Sequence, residues 1–384
     1  MDVYILDNNF NKTELIEKYG SVIWTERYSD SGDVTLVVED TAANRALLDD
    51  VEFLGTQESD EVMLLDTVEL KDGSIKATGF TLDKMFETRL MVWSDVASEQ
   101  SLLTAEVYTG RGMNLIVEAF ASQAGWTANF GSLVPLDIDM TKQFFTNFVL
   151  GAEATPPPGA IPKSYTLTRG PLYDFVKNAG SEGKIGWKFV PINITPGGFD
   201  LEFSTYAGVD RSSGQTANPV VRFSPKQDSL TDVSELRSKR DYRTVAYAIS
   251  PDFDPVDQIT GGAEYTGVAY AYPGAAAETD FDRRVMLVEV TGITTDSVED
   301  TQAKYQALLD SKARDALANN NFVKVIDGEI IPQNEYVFGT DYGLGDLIEL
   351  EDPHGTIQKA RITEYIRSSD SNGFRSYPTV SVED

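Results

Sequence analysis

The chain lacks cysteine, has a single histidine and is poor in basic residues. Among its 384 residues, 61 are acidic and 32 are basic. Without cysteine there is no disulfide framework, no thiolate metal site and no cysteine nucleophile. The formal net charge of −29 repels phosphate backbones and anionic headgroups, so sequence-specific nucleic-acid binding is not expected.

Long hydrophobic runs are also missing. No stretch approaches the roughly 18 to 20 apolar residues that a membrane-spanning helix needs. The opening stretch "MDVYILDNNFNKTELIEKYG" carries acids where a secretory signal is basic, and it has no long unbroken apolar run. We therefore expect a soluble protein made in the cytoplasm, without a membrane span.

The pattern that is present is mostly that of β-structure. Val22 to Asp40 and Val62 to Phe80 each consist of two apolar-rich runs around a tight turn, which predicts two hairpins. Asp346 to Glu351 and Ile357 to Arg367 predict a third hairpin near the end of the chain. The short strands and tight turns at the N-terminus indicate a small barrel or sandwich.

Two segments in the middle of the chain have helical periodicity. Arg111 to Trp126 is predicted to be a helix that stops at Gly125. Thr168 to Gly180 has Pro171 in its first turn and a closing glycine, which are typical of a helix start and end. The following segment, Gly186 to Tyr206, predicts a hairpin, so the region forms a small α/β unit.

Further along, Ser297 to Asn319 predicts the clearest helix, with Ser297 and Asp300 as a capping box. The proline-rich segment Glu153 to Pro162 suits neither a helix nor a central strand, and it marks a boundary. The Gly, Ala and Pro rich stretch from Ser250 to Asp282 reads as an excursion from the sheet, and one interpretation is an interface arm that orders on assembly.

The segment Phe338 to Asp352, "FGTDYGLGDLIELED", invites comparison with a phosphate-binding loop. Such a loop needs Lys and then Ser or Thr after its last glycine, and a helix behind them. Here Asp346 and Leu347 occupy those positions and a strand follows. The glycines are better interpreted as a sharp turn into a strand.

Two acidic segments invite comparison with metal sites. Asp7 to Lys18 begins with the D-x-N-x-N spacing of a calcium loop, but Lys12 and Lys18 stand where glycine and a bidentate glutamate belong. A calcium loop is therefore rejected. Asp252, Asp254 and Asp257 share a loop, and a solvated turn is the favoured interpretation over a metal site.

The remaining candidates favour structural roles. His354 lies in a predicted turn, and no G-x-S-x-G motif is present, so a hydrolase triad is not indicated. The tryptophans sit in apolar runs or at element ends and favour core packing over a sugar platform: Trp24, Trp93, Trp126 and Trp187. We predict no catalytic, cofactor-binding or metal residues and no cofactor, although 61 carboxylates leave glycoside hydrolysis open.

Three phrases carry a family resemblance over nearly the whole chain. They are "VYILDNNFNKTELIEKYGSVIWTERYSDSGDVTLVV", "VMLLDTVELKDGSIKATGFTLDKMFETRLM" and "YGLGDLIELED" followed by "IQKARITEYIRSS". In their order and spacing the sequence resembles a siphophage tail protein family, the minor tail proteins of actinobacterial phages. That family in turn resembles the baseplate hub proteins at the tip of long phage tails.

The resemblance implies an α+β, β-rich fold with two small β-barrel hub domains, a helical insertion and a small α/β domain. The expected segments are residues 1–95 for the first barrel, 96–160 for the insertion and linker, 161–216 for the α/β domain and 217–384 for the second barrel, including helix 297–319. It further implies a homotrimer around the tail axis, in which six similar units meet sixfold tail rings.

The expected partners are a distal tail protein, the tape measure protein and tail fibre or other tip proteins, and the expected location is the virion tail tip. Since the sequence stops soon after its last predicted hairpin, we expect a hub without its own lysin domain. Two other functions stay open: a cell-wall glycoside hydrolase, and a carbohydrate-binding adhesin that uses aromatics such as those of Ala263 to Gly274.

Overall fold

A computed structural model describes the chain over residues 1–49, 51–92, 109–130, 142, 144–154, 170–250, 265–291, 302–318, 320, 323–331 and 335–383. It divides into two compact units. Unit 1 comprises Met1–Asp232 and Gly328–Asp384, and unit 2 comprises Val233–Asp327. The protein is mostly β-structure, arranged in several sheets. None of the described helices is both long and apolar enough to span a membrane.

The main sheet of unit 1 contains eleven strands drawn from both ends of the chain. Its strands are β1 (Val3–Leu6), β2 (Lys12–Leu15), β3 (Ser21–Arg27), β4 (Asp33–Glu39), β5 (Phe53–Thr56), β6 (Met63–Lys71), β7 (Ser74–Thr81), β13 (Arg222–Phe223), β19 (Leu347–Glu351), β20 (Ile357–Asp370) and β21 (Gly373–Glu383). Their order is β13-β19-β20-β3-β4-β7-β6-β5-β1-β2, and β21 pairs with β20. A short helix, α1 (Ala42–Leu48), links β4 to β5.

The predicted hairpins of this unit are confirmed. β3 pairs with β4, β6 with β7 and β19 with β20, all antiparallel. The turn between β6 and β7 shows why the sequence forms it: Asp72 and Gly73 both have positive φ, 52° and 79°, as a two-residue hairpin turn requires. Buried apolar side chains of alternate strand residues then form one core, which includes Val22, Leu36 and Ile75.

The prediction of two separate barrels is not confirmed. β20, which the prediction put in the second barrel, pairs with β3 of the first, with Arg367 opposite Trp24. Among the described strands the sheet follows an open path from β13 to β2 and does not close. The physical reason is that β20 has 14 residues, long enough to pair with β19 through its first half and with β3 through its second.

A second region of unit 1 packs helices against a small sheet. Its elements are a 3₁₀ helix (Leu82–Thr88), β8 (Leu90–Met91), α2 (Thr109–Ala121), α3 (Gln123–Phe130), β9 (Phe148–Leu150), β10 (Gly170–Pro171), α4 (Leu172–Gly183), β11 (Gly186–Thr195) and β12 (Gly198–Tyr206). The order of the three-stranded sheet is β11-β12-β9, and β8 pairs with β10. One buried cluster joins Phe86, Phe120, Val176 and Phe203, so the predicted insertion and α/β domain share a core.

Both glycines that were predicted to end helices lie inside helices instead. Gly125 belongs to α3, and a Cβ there would lie 2.3 Å from the backbone oxygen of Glu118. Gly180 belongs to α4, and a Cβ there would lie 2.3 Å from the ring of Trp187. These glycines permit close packing, and α4 ends at Lys184, which takes the left-handed conformation with φ 52°.

Unit 2 contains a three-stranded sheet with a helix on one face. The sheet consists of β15 (Val245–Ile249), β16 (Gly267–Tyr270) and β17 (Val285–Glu289), and the helix is α5 (Gln302–Ala318). β15 lies in the middle, antiparallel to β16 and parallel to β17. The predicted helix from Ser297 is confirmed over its described part, while the proposed capping residues Ser297 and Asp300 lie outside the described residues.

Four further elements occur among the described residues, two strands and two short helices. β14 (Leu230–Ser238) and β18 (Val323–Ile330) form a two-stranded sheet, and the chain leaves unit 1 within β14 and re-enters it within β18. Short 3₁₀ helices cover Pro225–Gln227 and Ala275–Ala277.

Candidate functional site

The glycine-containing segment before β19 forms a structural junction. Gly345 has φ 83°, and a Cβ there would lie 2.2 Å from the ring of Tyr28. A Cβ on Gly208 would lie 1.7 Å from the backbone oxygen of Gly345, so the two backbones are in direct contact. Tyr28 joins the same contact, because its hydroxyl donates to the backbone oxygen of Lys184 at 2.6 Å and accepts from the Gly208 amide at 3.1 Å.

Asp346, which occupies the lysine position of a phosphate loop, organises this junction. Its carboxylate accepts hydrogen bonds from the amide of Val209 at 2.7 Å, the amide of Gly343 at 2.9 Å and Nε of Arg211 at 2.6 Å. An anionic side chain that already accepts from backbone amides leaves no place for a phosphate. The predicted turn into a strand is confirmed, because β19 begins at Leu347 directly after Gly345 and Asp346.

A buried ion pair crosses the main sheet where the two ends of the chain meet. Nη1 of Arg367 on β20 lies 2.5 Å from Oε1 of Glu26 on β3, and the two side chains are only 7% and 5% exposed. The guanidinium also lies over the ring of Tyr365 at 4.8 Å, and that ring stacks on Phe338 at 3.6 Å. Because a buried charge is costly without its partner, this pair ties the N-terminal and C-terminal strands together.

Two more buried carboxyl groups lie near this pair. Burial raises the pKa of Glu61 well above its ordinary value, and the charge of Glu26 raises it further. Among the described residues Oε2 of Glu61 accepts no hydrogen bond. Burial also raises the pKa of Asp83, even though Ser31 Oγ and Trp187 Nε1 donate to it at 2.7 and 3.0 Å. We call Glu26, Arg367 and Glu61 the buried ionic network.

A cavity of about 380 Å³ opens beside the network, and its lining includes Glu26, Lys188, Arg211 and Asp346. Both carboxylates are already occupied, Glu26 by Arg367 and Asp346 by Arg211. A glycosidase needs one carboxylic acid that can give up a proton and one free carboxylate. Among the described lining residues, both of these carboxylates are held in ion pairs with arginine.

Two other sequence candidates lie in local turns held by hydrogen bonds from backbone amides to an aspartate. His354 lies in the turn between β19 and β20, where Oδ1 of Asp352 accepts from the amides of His354 and Thr356 at 2.8 and 2.7 Å. Asp7, the first residue of the rejected calcium loop, accepts from the amides of Asn9 and Asn11, both at 2.9 Å. Within the described parts of the chain no cluster of three or more His, Asp or Glu side chains suits a metal ion.

Three of the four tryptophans are buried, as core packing requires. Trp24 is 0% exposed, Trp126 7% and Trp187 3%. Trp93 and the aspartates at 252, 254 and 257 lie outside the described residues.

The buried ionic network is the feature that sequence reasoning missed. A usable signal was present, because Glu26 shares its side of β3 with Val22 and Trp24, which are both fully buried. A charged residue in phase with an apolar face indicates a buried partner. The identity of that partner was hidden, since Arg367 is 341 residues away in sequence.

The fold is that of a β-rich protein with several sheets. The model of the Siphovirus ReqiPepy6 Gp37-like protein family matches residues 2–380, and the chain belongs to this family of siphovirus tail proteins. It is a family of structural phage tail proteins. No match was found among curated protein sequences.

Two solved structures share the fold. A tail protein from Neisseria meningitidis MC58 has a TM-score of 0.53 and 10% identity, over 100% of this chain and 96% of that chain. The 43 kDa tail protein of prophage MuSo2 from Shewanella oneidensis has a TM-score of 0.50 and 10% identity, over 99% of this chain and 98% of that chain. At such low identity the likeness concerns the fold alone.

Proposed function

We propose that this tail protein is a hub at the tip of the phage tail. Three copies surround the tail axis, join the distal tail protein above to fibre or other tip proteins below, and enclose the channel through which the genome leaves. The tape measure protein ends at the same channel. The chain is made in the host cytoplasm and resides in the virion.

The observation that carries the proposal is the union of both chain ends in one sheet. A hub must hold its shape while it bears load between a ring and the tip proteins. In unit 1 the N-terminal and C-terminal strands share hydrogen bonds along seven residue pairs between β3 and β20, from Arg27 opposite Glu364 to Ser21 opposite Asp370. The buried pair of Glu26 and Arg367 braces the same seam. Such a wall resists separation of its ends better than two independent modules do.

The net charge of the chain supports a role in which the protein surrounds DNA but does not bind it. Three copies at −29 each carry a formal charge of −87. Acidic residues on a channel wall keep phosphates from adhering, with a reach of about 8 Å at physiological salt. A basic channel surface in the assembled particle contradicts this part of the proposal.

An adhesin is the second candidate, because unit 2 exposes aromatic side chains. Tyr270 is 46% exposed and Tyr272 42%, and both belong to the segment that the sequence marked as a possible glycan platform. By contrast, Tyr265 packs its ring at 5.9 Å from that of Tyr305, inside the core of the unit. Saturable binding of host wall glycans by the monomer, lost on Tyr270→Ala and Tyr272→Ala, favours the adhesin.

Electron cryo-microscopy of the purified full chain tests the hub directly. The proposal predicts particles with threefold symmetry and an axial opening. Particles without that symmetry, or with a closed centre filled by protein side chains, contradict it.

A further inference from the structure

The turn between β20 and β21 contains an asparagine that is followed directly by a glycine. It runs from Asp370, the last residue of β20, through Ser371 and Asn372 to Gly373, the first residue of β21. Asp370 and Gly373 are paired across the hairpin. Nowhere else in the sequence does a glycine follow an asparagine.

The backbone conformation of the turn requires this glycine. Gly373 has φ 114°, a positive value that residues with a Cβ rarely adopt. Apart from its two neighbours in the chain, no heavy atom lies within 4 Å of the place where a Cβ would be. The glycine is therefore needed for its conformation and not for close packing.

The missing Cβ also leaves the backbone nitrogen of Gly373 open to the side chain of Asn372. Asn372, Gly373 and Phe374 are all exposed. The backbone amide of Asn372 donates to Oδ1 of Asp370 at 2.7 Å, whereas its side-chain Nδ2 lies 3.4 Å from Oδ2 of the same residue. A hydrogen bond of that length restrains the side chain weakly, so the side chain can rotate toward the nitrogen of Gly373.

We propose that Asn372 is a site of spontaneous deamidation. The nitrogen of Gly373 forms a bond to Cγ of Asn372 while the bond from Cγ to Nδ2 breaks. Nδ2 leaves as ammonia, which carries away the proton of the attacking nitrogen, and the product is a cyclic succinimide. Water then opens the ring at either carbonyl carbon, which leaves aspartate or isoaspartate at position 372 without any oxidant or cofactor.

The reaction replaces a hydrogen-bond donor with a carboxylate beside Asp370. The contact between the two side chains then changes from attraction to repulsion, because both carry a negative charge. Asp370 is also paired with Ser21 of β3, so the new charge lies at the end of the β3–β20 pairing that joins the two ends of the chain. Isoaspartate in addition lengthens the backbone of the turn by one methylene group.

Asn193 provides a matched internal control. It is also exposed, and its Nδ2 likewise donates to an aspartate, Oδ2 of Asp200, at 2.8 Å. The residue that follows it is Ile194, whose branched Cβ crowds the backbone nitrogen that would have to attack. Asn193 is therefore expected to keep its amide under conditions in which Asn372 loses it.

The test incubates the full folded chain in warm, mildly alkaline buffer and follows the two asparagines by mass spectrometry. Trypsin releases residues 368–375, in which Asn372 is the sole asparagine, and residues 189–211, in which Asn193 is the sole asparagine. Replacement of an amide NH₂ by OH is read as a gain in mass relative to a sample digested before incubation. Asn372 is expected to convert at least about tenfold faster than Asn193, since no Cβ hinders the attack. Part of the product is expected to be labelled by an isoaspartate-specific carboxyl methyltransferase.

A second variant tests the attacking group. Gly373→Ala places a methyl group in open space and is expected to keep the circular dichroism spectrum of the wild type, while the conversion of Asn372 slows at least about tenfold. Equal rates in the wild type and in this variant overturn the attack by an unhindered Gly373 nitrogen.

Two further results overturn the proposal as a whole. One is that Asn372 keeps its amide for as long as Asn193 does. The other is that a synthetic peptide of residues 368–375 converts while the same residues in the folded chain do not, because the hairpin then protects the asparagine.

Discussion

The two units of the chain treat the faces of their sheets differently. In unit 1, charged side chains are drawn inside and neutralised, as Glu26 is by Arg367. In unit 2, the helix covers one face and the other presents Val285 and Leu287 to solvent. One unit therefore buries and pairs its polar groups, while the other exposes apolar side chains on one face of its sheet.

The largest effect is expected from breaking the buried pair. Arg367→Met leaves Glu26 charged and unpaired in the interior, so the free energy of unfolding should fall by about 3–5 kcal/mol in urea titrations. Combining it with Glu26→Met removes the stranded charge and should recover most of the loss.

The matched control for that experiment is an exposed pair. Lys177 and Asp30 lie 2.8 Å apart with side chains 48% and 40% exposed, so Lys177→Ala should cost less than about 1 kcal/mol. If Arg367→Met costs no more than Lys177→Ala, the pair does not brace the sheet.

A smaller loss is expected from Gly345→Ala. The residue has φ 83°, and the new methyl group would meet the Tyr28 ring, so strain and overpacking together should cost about 2–4 kcal/mol. Gly339→Ala is the control, because it has φ 82° but open space around it, and should cost about 1–2 kcal/mol. Equal losses in thermal unfolding contradict a packed junction.

The next effect depends on pH. The ordinary pKa of a glutamate side chain is 4.5, and burial raises the pKa of Glu61 above it. At pH values between these two pKa values, the folded state keeps a proton on Glu61 that the unfolded state releases. Because the folded state binds more protons in this range, the free energy of unfolding falls as pH rises from 4.5 through the pKa of Glu61 in the folded state. Glu61→Gln should therefore be more stable than the wild type at about pH 8.5, with a smaller gap at about pH 5.5.

The pKa of Glu349 is shifted in the opposite direction to that of Glu61. Burial acts to raise its pKa, but hydrogen bonds from Ser213 and Arg222 outweigh burial and the pKa lies below its usual value. Glu349→Gln should lose stability at neutral pH, and the gap to the wild type should narrow as pH falls. Parallel pH profiles for the two variants contradict the assigned environments.

The smallest effect on stability is expected in unit 2. Because Leu287 is 58% exposed, Leu287→Asp should change the free energy of unfolding of the dissociated chain by less than about 0.5 kcal/mol. A loss of several kcal/mol means that the residue supports the fold, and the contrast between the units then fails.

Local features of this fold could be predicted from the sequence, and distant ones could not. The turn at Asp72 and Gly73 and the alternation around Ile75 depend on neighbouring residues, so the β6–β7 hairpin was predicted correctly. The pairing of β3 with β20 joins residues more than 330 positions apart, and no local pattern specifies it. The partner of Glu26 could not be predicted for the same reason. In addition, the pairing register of β20 shifts between Ile362 and Glu364, so the alternation of side chains before the shift does not predict that Arg367 points inward.

The most direct measurement is electron cryo-microscopy of an intact tail that contains this protein. The account predicts density for the eleven-stranded sheet of unit 1 three times around the axis at the tail tip, enclosing an acidic channel. A single copy away from the axis, or many copies along the tube, contradicts the hub.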